Sequence, residues 1–119
     1  MKKILVVDDS KAMVRMIENV LLKEGYCPVG ISDPAQIEQT IDSECPSLIL
    51  LDVVMPERNG FQICRALKNS PSYRGIPIIL VSAKSTPSDR FWAEQQGANG
   101  YVVKPFTPVD LLREVRRFA

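Results

Sequence analysis

The sequence predicts an α/β protein: a doubly wound parallel sheet of five strands with five helices. Three observations point to it. Five short apolar runs recur along the 119 residues. None alternates apolar with polar residues, as expected of strands covered on both faces. Each run is followed by a stretch with helical spacing of its apolar residues. Strands alternating with helices in this way form a parallel sheet, and right-handed crossovers leave few topologies.

The elements follow in order. Residues 3–7, KILVV, read as a buried strand. A helix from Lys11 to about Glu24 carries Val14, Ile17 and Leu21 on one face, and Gly25 ends it. Residues 27–31, CPVGI, form a weaker strand, because Pro28 and Gly30 suit an edge position. Asp33-Pro34 caps and opens a helix over residues 34–42. Residues 48–51, LILL, are the third strand. A loop with Met55-Pro56 leads to a helix from about Gly60 to Lys68, and SPSYRGIP reads as a loop. Residues 78–81, IILV, form the fourth strand. A helix from about Pro87 to Gln96 follows, with Gly97 as its stop. Residues 100–103, GYVV, are the last strand. Thr107-Pro108 opens a terminal helix with Leu111, Leu112, Val115 and Phe118 inward. One domain over residues 1–119 is expected.

Composition narrows the function. The chain is 45% hydrophobic and 24% charged, the balance of an ordinary globule rather than a disordered segment. The net charge of +1 argues against a dominant attraction to nucleic acid or to an anionic membrane. No apolar run reaches the length of a membrane span. The start, MKKILVVDD, ends in two acids without a small-residue cleavage site, so a cytoplasmic protein is expected. Cys27, Cys45 and Cys64 have neither disulfide nor zinc spacing. The chain contains no histidine. That removes Ser-His-Asp and Cys-His mechanisms, histidine metal sites and a phosphohistidine carrier.

Ligands of an open parallel sheet sit beyond the carboxyl ends of its strands. Asp8 and Asp9 follow the first strand, Asp52 the third, Ser82 the fourth and Lys104-Pro105 the fifth. Two carboxylates about 4 Å apart repel by roughly 1–4 kcal/mol. Such a cluster needs an offsetting charge. Mg²⁺ suits it, since it takes one or two carboxylates, waters and a phosphate oxygen. Lys104 adds a second positive group. A carboxylate can accept a phosphoryl group as an acyl phosphate, and that transfer needs positioning and charge neutralisation above all. Asp52, alone at its strand end, is the natural nucleophile.

DD after the first strand, LLDVVMPERNG at the third, VSA after the fourth and YVVKPF at the fifth resemble the receiver domain of bacterial response regulators, in its CheY-like single-domain form. The resemblance covers essentially the whole chain. It implies the strand order 2-1-3-4-5 of flavodoxin and CheY, taken over here from the family. It implies that Asp52 is phosphorylated by the phosphohistidine of a histidine kinase. Mg²⁺ would be held by Asp9, Asp52 and the backbone carbonyl of Val54, with Asp8 acting directly or through water. Ser82 and Lys104 would contact the phosphoryl group. Tyr101 would be the switch aromatic, turning inward as Ser82 moves to the phosphate. Lys104-Pro105 would be a cis peptide. The downstream protein target would meet the face made by the fourth helix, fifth strand and fifth helix. A monomer is expected, with neither nucleic acid nor membrane as partner. The run KSTPSDRFWAEQQGA is also similar to CheY-like regulators of type IV pilus (twitching) and phototaxis systems.

Val54, two residues after Asp52, and Lys84, two after Ser82, depart from the polar and acidic residues of well-known chemotaxis members. Both are expected to alter the lifetime of an acyl phosphate. Two alternatives share the fold: a phosphate sink for a shared kinase, and a binding module independent of phosphorylation. An aspartate-nucleophile phosphatase is disfavoured, because its second acid would stand where Val54 does. A nucleotide site is disfavoured by the absence of a glycine-rich turn after the first strand. Taken singly, Asp8-Asp9 and Ser82 could be helix caps, Lys104 a solvated loop residue, and Tyr101 half-buried packing. Trp92 could pack on the sheet or face a partner. Met13 and Met16 read as core or rim. Arg113, Arg116 and Arg117 read as a solvated basic end that complements the helix dipole.

Overall fold

The computed structural model describes residues 2–119. Its strands are β1 (Lys3–Val7), β2 (Cys27–Ile31), β3 (Leu48–Asp52), β4 (Ile78–Ser82) and β5 (Gly100–Val103). Its helices are α1 (Lys11–Lys23), α2 (Ile37–Glu44), α3 (Gly60–Lys68), α4 (Pro87–Gln95) and α5 (Pro108–Phe118), with a 3-10 turn over Pro34–Gln36 before α2. All strand pairs are parallel, in the order β2-β1-β3-β4-β5. The expected α/β class and strand order are therefore present, and the strand holding Pro28 and Gly30 lies at an edge.

Alternate residues of β1, β3, β4 and β5 feed two separate cores. Leu5, Val7, Ile49, Leu51, Ile78 and Leu80 pack with α2, α3 and Ala93 of α4. Ile4, Val6, Leu48, Leu50, Ile79 and Val81 pack with α1 and α5. Both faces are dry, which is why the strand sequences show no polar alternation. The inward set named for α5 holds, with Phe118 partly buried against the second core.

Helix boundaries depart from expectation mainly at α2. Asp33 accepts the Ala35 N–H, and the chain makes a 3-10 turn before the α-helix begins at Ile37. The helix then runs past residue 42 to Glu44, because Cys45 takes the left-handed conformation at its end, φ 49°. That position usually selects glycine or asparagine, so Cys45 gave no stop signal in the sequence. Strands β3 and β4 each run one residue past the apolar stretch, so Asp52 and Ser82 are strand residues.

Candidate functional site

Register brings the site together. Val7 stands opposite Leu51, so Asp8 and Asp52 leave the sheet side by side. Asp52 pairs with Val81, and Ser82 with Val103, which puts Ser82 and Lys104 at the same edge. The Lys104 N–H donates to the Ser82 carbonyl at 2.9 Å, carrying the β4–β5 ladder one step beyond the strands. The Lys104-Pro105 peptide is cis.

The Lys104 ammonium bridges two acids. Its Nζ lies 2.9 Å from Asp8 Oδ2 and 3.0 Å from Asp52 Oδ1. Asp8 and Asp52 are almost wholly buried, while Asp9 is exposed. Oxygens of Asp8, Asp9 and Asp52 lie within 4.8 Å of one another. Three hard oxygen donors at this spacing suit a hard divalent cation. The charges agree: three carboxylates and one ammonium sum to −3 + 1 = −2 when all are ionised.

Burial raises the Asp52 pKa to about 6. The Lys104 hydrogen bond opposes that rise and the charge of Asp8 adds to it. Asp52 is therefore mostly ionised at neutral pH, but it is a more basic carboxylate than an exposed one. For Lys104, burial disfavours the charge, yet hydrogen bonds to Asp8 and Asp52 outweigh it and raise its pKa.

Local sequence frees these groups for the site. Ser10, and neither aspartate, caps α1 by accepting the Met13 N–H. Asp8 Oδ1 accepts the Ser10 N–H at 2.9 Å, which fixes the carboxylate that Lys104 reaches. Thr86 caps α4, so Ser82 has no capping duty. Its Oγ is buried and accepts the Lys84 N–H at 3.1 Å. The Tyr101 hydroxyl donates to the Lys84 carbonyl at 2.7 Å, so the Lys84 residue is gripped from both Ser82 and Tyr101. Burial raises the Tyr101 pKa, and the Ser82 hydroxyl works against it.

Sequence reasoning missed two features. One is the Asp8 arm of the lysine bridge, which no spacing rule announces. The other is Gly60. A Cβ there would stand 2.3 Å from the Asp52 carbonyl oxygen and 2.8 Å from Val53 Cα, and the Gly60 N–H donates to the Val53 carbonyl at 2.8 Å. The glycine lets α3 start against the backbone that carries Asp52. Its place eight residues after an isolated strand-end acid was the available signal.

Among the remaining candidates, Trp92 is half exposed and joins neither core, and Met13 and Met16 sit at the rim of α1. The arginines of α5 are paired: Arg113 with Asp110, Arg116 with Glu24 and Arg117 with Glu114.

A five-stranded parallel sheet with acids, a hydroxyl and a lysine gathered at its carboxyl edge defines a class of small α/β proteins with a charged site at the topological switch. Residues 4–116 match the family model described as response regulator receiver domain, and the chain belongs to that family. Among curated relatives, it is 36% identical over 115 residues to the DNA-binding response regulator MtrA of Mycolicibacterium smegmatis, covering 97% of this chain and 49% of MtrA. It is 39% identical over 114 residues to the response regulator PleD of Caulobacter vibrioides, covering 96% of this chain and 25% of PleD. The chain thus spans half or less of these relatives. Among solved structures, the chemotaxis protein CheY4 of Vibrio cholerae superposes with a TM-score of 0.93 at 29% identity, over 100% of this chain and 99% of CheY4. The signal receiver domain of a histidine kinase from Syntrophus aciditrophicus superposes with a TM-score of 0.89 at 32% identity, over 99% of this chain and 89% of that one. No helix among the described residues is long and apolar enough to cross a membrane.

Proposed function

We propose that this chain is a cytoplasmic response regulator whose receiver domain occupies residues 1–119, that it accepts a phosphoryl group on Asp52 from a histidine kinase, and that it signals through altered protein contacts in motility or taxis. The observation that carries the reading is the buried lysine bridge: Lys104 Nζ within 3.0 Å of both Asp52 and Asp8, with Asp9 beside them. The motility assignment rests on the likeness to CheY4, named a chemotaxis protein, and on the DRFW…QGA run, within and just after α4, that resembles pilus and phototaxis regulators.

The chemistry is a direct displacement. A carboxylate oxygen of Asp52 attacks phosphorus, the kinase's N–P bond breaks, and its electron pair returns to the imidazole nitrogen, which takes a proton from solvent. No oxidant or second substrate is needed. Asp9, Asp52 and the Val54 carbonyl would hold Mg²⁺, with Asp8, pinned by Ser10 and Lys104, acting directly or through water. Bound Mg²⁺ supplies neutralisation of phosphoryl charge. Lys104 supplies a fixed ammonium, and Ser82, whose Oγ accepts the Lys84 N–H, donates its hydroxyl proton to a phosphoryl oxygen. Tyr101 is tied to Ser82 through the same Lys84 residue, which supports its assignment as the switch aromatic. The responsive surface is assigned to α4, β5 and α5. Protein rather than nucleic acid is the target assigned here, since each α5 arginine already faces a carboxylate.

The test is intact mass after incubation with acetyl phosphate and Mg²⁺. One phosphoryl adduct is expected, absent without Mg²⁺ and absent in Asp52→Asn. An adduct that persists in Asp52→Asn would overturn the assignment.

A further inference from the structure

Bordering the phosphoacceptor site at Val54 and Lys84, the structure carries a groove that is apolar at one half and polar at the other. It runs between α3 and α4. Its inner half is lined by Val54, Met55, Phe61 and Lys84, its outer half by Arg65, Asn69, Gln95 and Gln96, and Trp92 lines both. Val54 is 59% exposed and Trp92 is 50% exposed. Large apolar side chains clustered in the open mark interaction sites more often than single ones do. Trp92 is also the only tryptophan of the chain.

The groove has a charge signature. Lys84 lines the inner half and Arg65 the outer half. Neither forms a salt bridge among the described residues, whereas Arg58, Arg113, Arg116 and Arg117 do. No carboxylate lines either half. Asp89 lies near enough to Lys84 to feel its charge and lines a neighbouring recess with Trp92, but its carboxylate is held in the helix cap, where it accepts from both the Thr86 N–H and the Thr86 hydroxyl. Asp8 and Asp52 of the phosphoacceptor site are tied to Lys104, and neither they nor Asp9 line the groove.

We propose that this groove docks an acidic peptide segment of a partner protein, with a large apolar side chain seated against Trp92 and carboxylates reaching Lys84 and Arg65. Tryptophan and arginine are the side chains most often central to such contacts, and unpaired cations in both halves select the charge of the occupant. The surface is separate from the face assigned to the signalling target. Helix α4 turns Arg90, Ala93 and Glu94 toward β5 and α5, and Trp92 toward α3. The inference does not depend on phosphorylation of Asp52.

The test pans a display library of short random peptides against the full chain. Enriched peptides are expected to hold Asp or Glu on both sides of a Leu, Phe or Trp. The best of these, synthesised, is expected to shift Trp92 emission. Its Kd is expected to rise about tenfold in Arg65→Glu/Lys84→Glu, corresponding to a loss of about 1.4 kcal/mol. Both changes lie on exposed positions, and unchanged thermal melting confirms the fold. Trp92→Ala, read by anisotropy of a labelled peptide, is expected to weaken binding as well. Enrichment of basic or uncharged peptides, or affinity indifferent to both variants, would overturn the proposal. So would an absence of enrichment. Self-association that Trp92→Ala abolishes would assign the groove to a second copy instead, and would equally overturn it.

Discussion

Lys104 and Asp52 lie 52 residues apart in the chain, yet Nζ stands 3.0 Å from Oδ1 inside a site where the carboxylate is 5% exposed. The lysine reaches Asp8 with the same ammonium. One cation therefore partly neutralises two buried carboxylates, and the site's stability and reactivity depend on the same contact.

Lys104→Met removes the ammonium and leaves Asp8 and Asp52 facing each other. Breaking a buried pair from one side costs several kcal/mol when the remaining charge is sealed from water. This site opens to solvent beside exposed Asp9, so a loss of about 2 kcal/mol is expected in metal-free urea unfolding at pH 7.5. Added Mg²⁺ is expected to restore much of it. A variant as stable as the parent without metal would show that the bridge has no net role.

Asp52→Asn acts in the opposite direction. The folded-state pKa of Asp52, about 6, lies above its ordinary value of 3.8. Between these values the folded state binds a proton that the unfolded state lacks, so this group's contribution to stability grows as pH falls through 6. Above 6 the carboxylate is charged in both states, and its burial is a full cost. Asp52→Asn is expected to raise metal-free stability at pH 7.5 by about 1–2 kcal/mol. The difference shrinks toward pH 4. Melting curves across this range check both the sign and the pH window.

Gly60→Ala tests the close approach of α3. The added Cβ meets backbone atoms, which cannot rotate away. A loss of about 2–3 kcal/mol is expected, together with slower phosphorylation, because the Asp52 peptide must shift. Gly75→Ala is the control. Nothing lies within 4 Å of its Cβ, and it is expected to change stability little in the same denaturation assay.

Tyr101→Phe removes the hydroxyl that donates to the Lys84 carbonyl. The bond is solvent-accessible, so a cost of about 0.5–1 kcal/mol is expected. The Ser82–Lys84 contact stays, and phosphorylation of Asp52 is expected to persist in the mass assay while partner binding falls. Loss of the phosphoryl adduct itself would show that Tyr101 positions the acceptor rather than reporting on it.

Much of the site was legible in the sequence. Asp8, Asp9, Asp52, Ser82 and Lys104 each directly follow or end an apolar run, and a parallel sheet gathers such positions at one edge. The single-residue alternatives fell for local reasons. Ser10 and Thr86 took the capping roles open to the aspartates and to Ser82. The end of α2 was not legible, because Cys45 adopts a backbone conformation its residue type rarely signals.

The order of apolar runs and the residues that end them determined the class of fold and the chemical cast of the site. Hydrophobic burial is set by pattern, and pattern can be read along one dimension. The tertiary structure alone decided which acid shares Lys104, why residue 60 must lack a side chain, and that Trp92 faces outward beside Lys84 and Arg65. Those facts depend on strand register and helix approach over distances of a few ångströms, and no spacing along the chain encodes them.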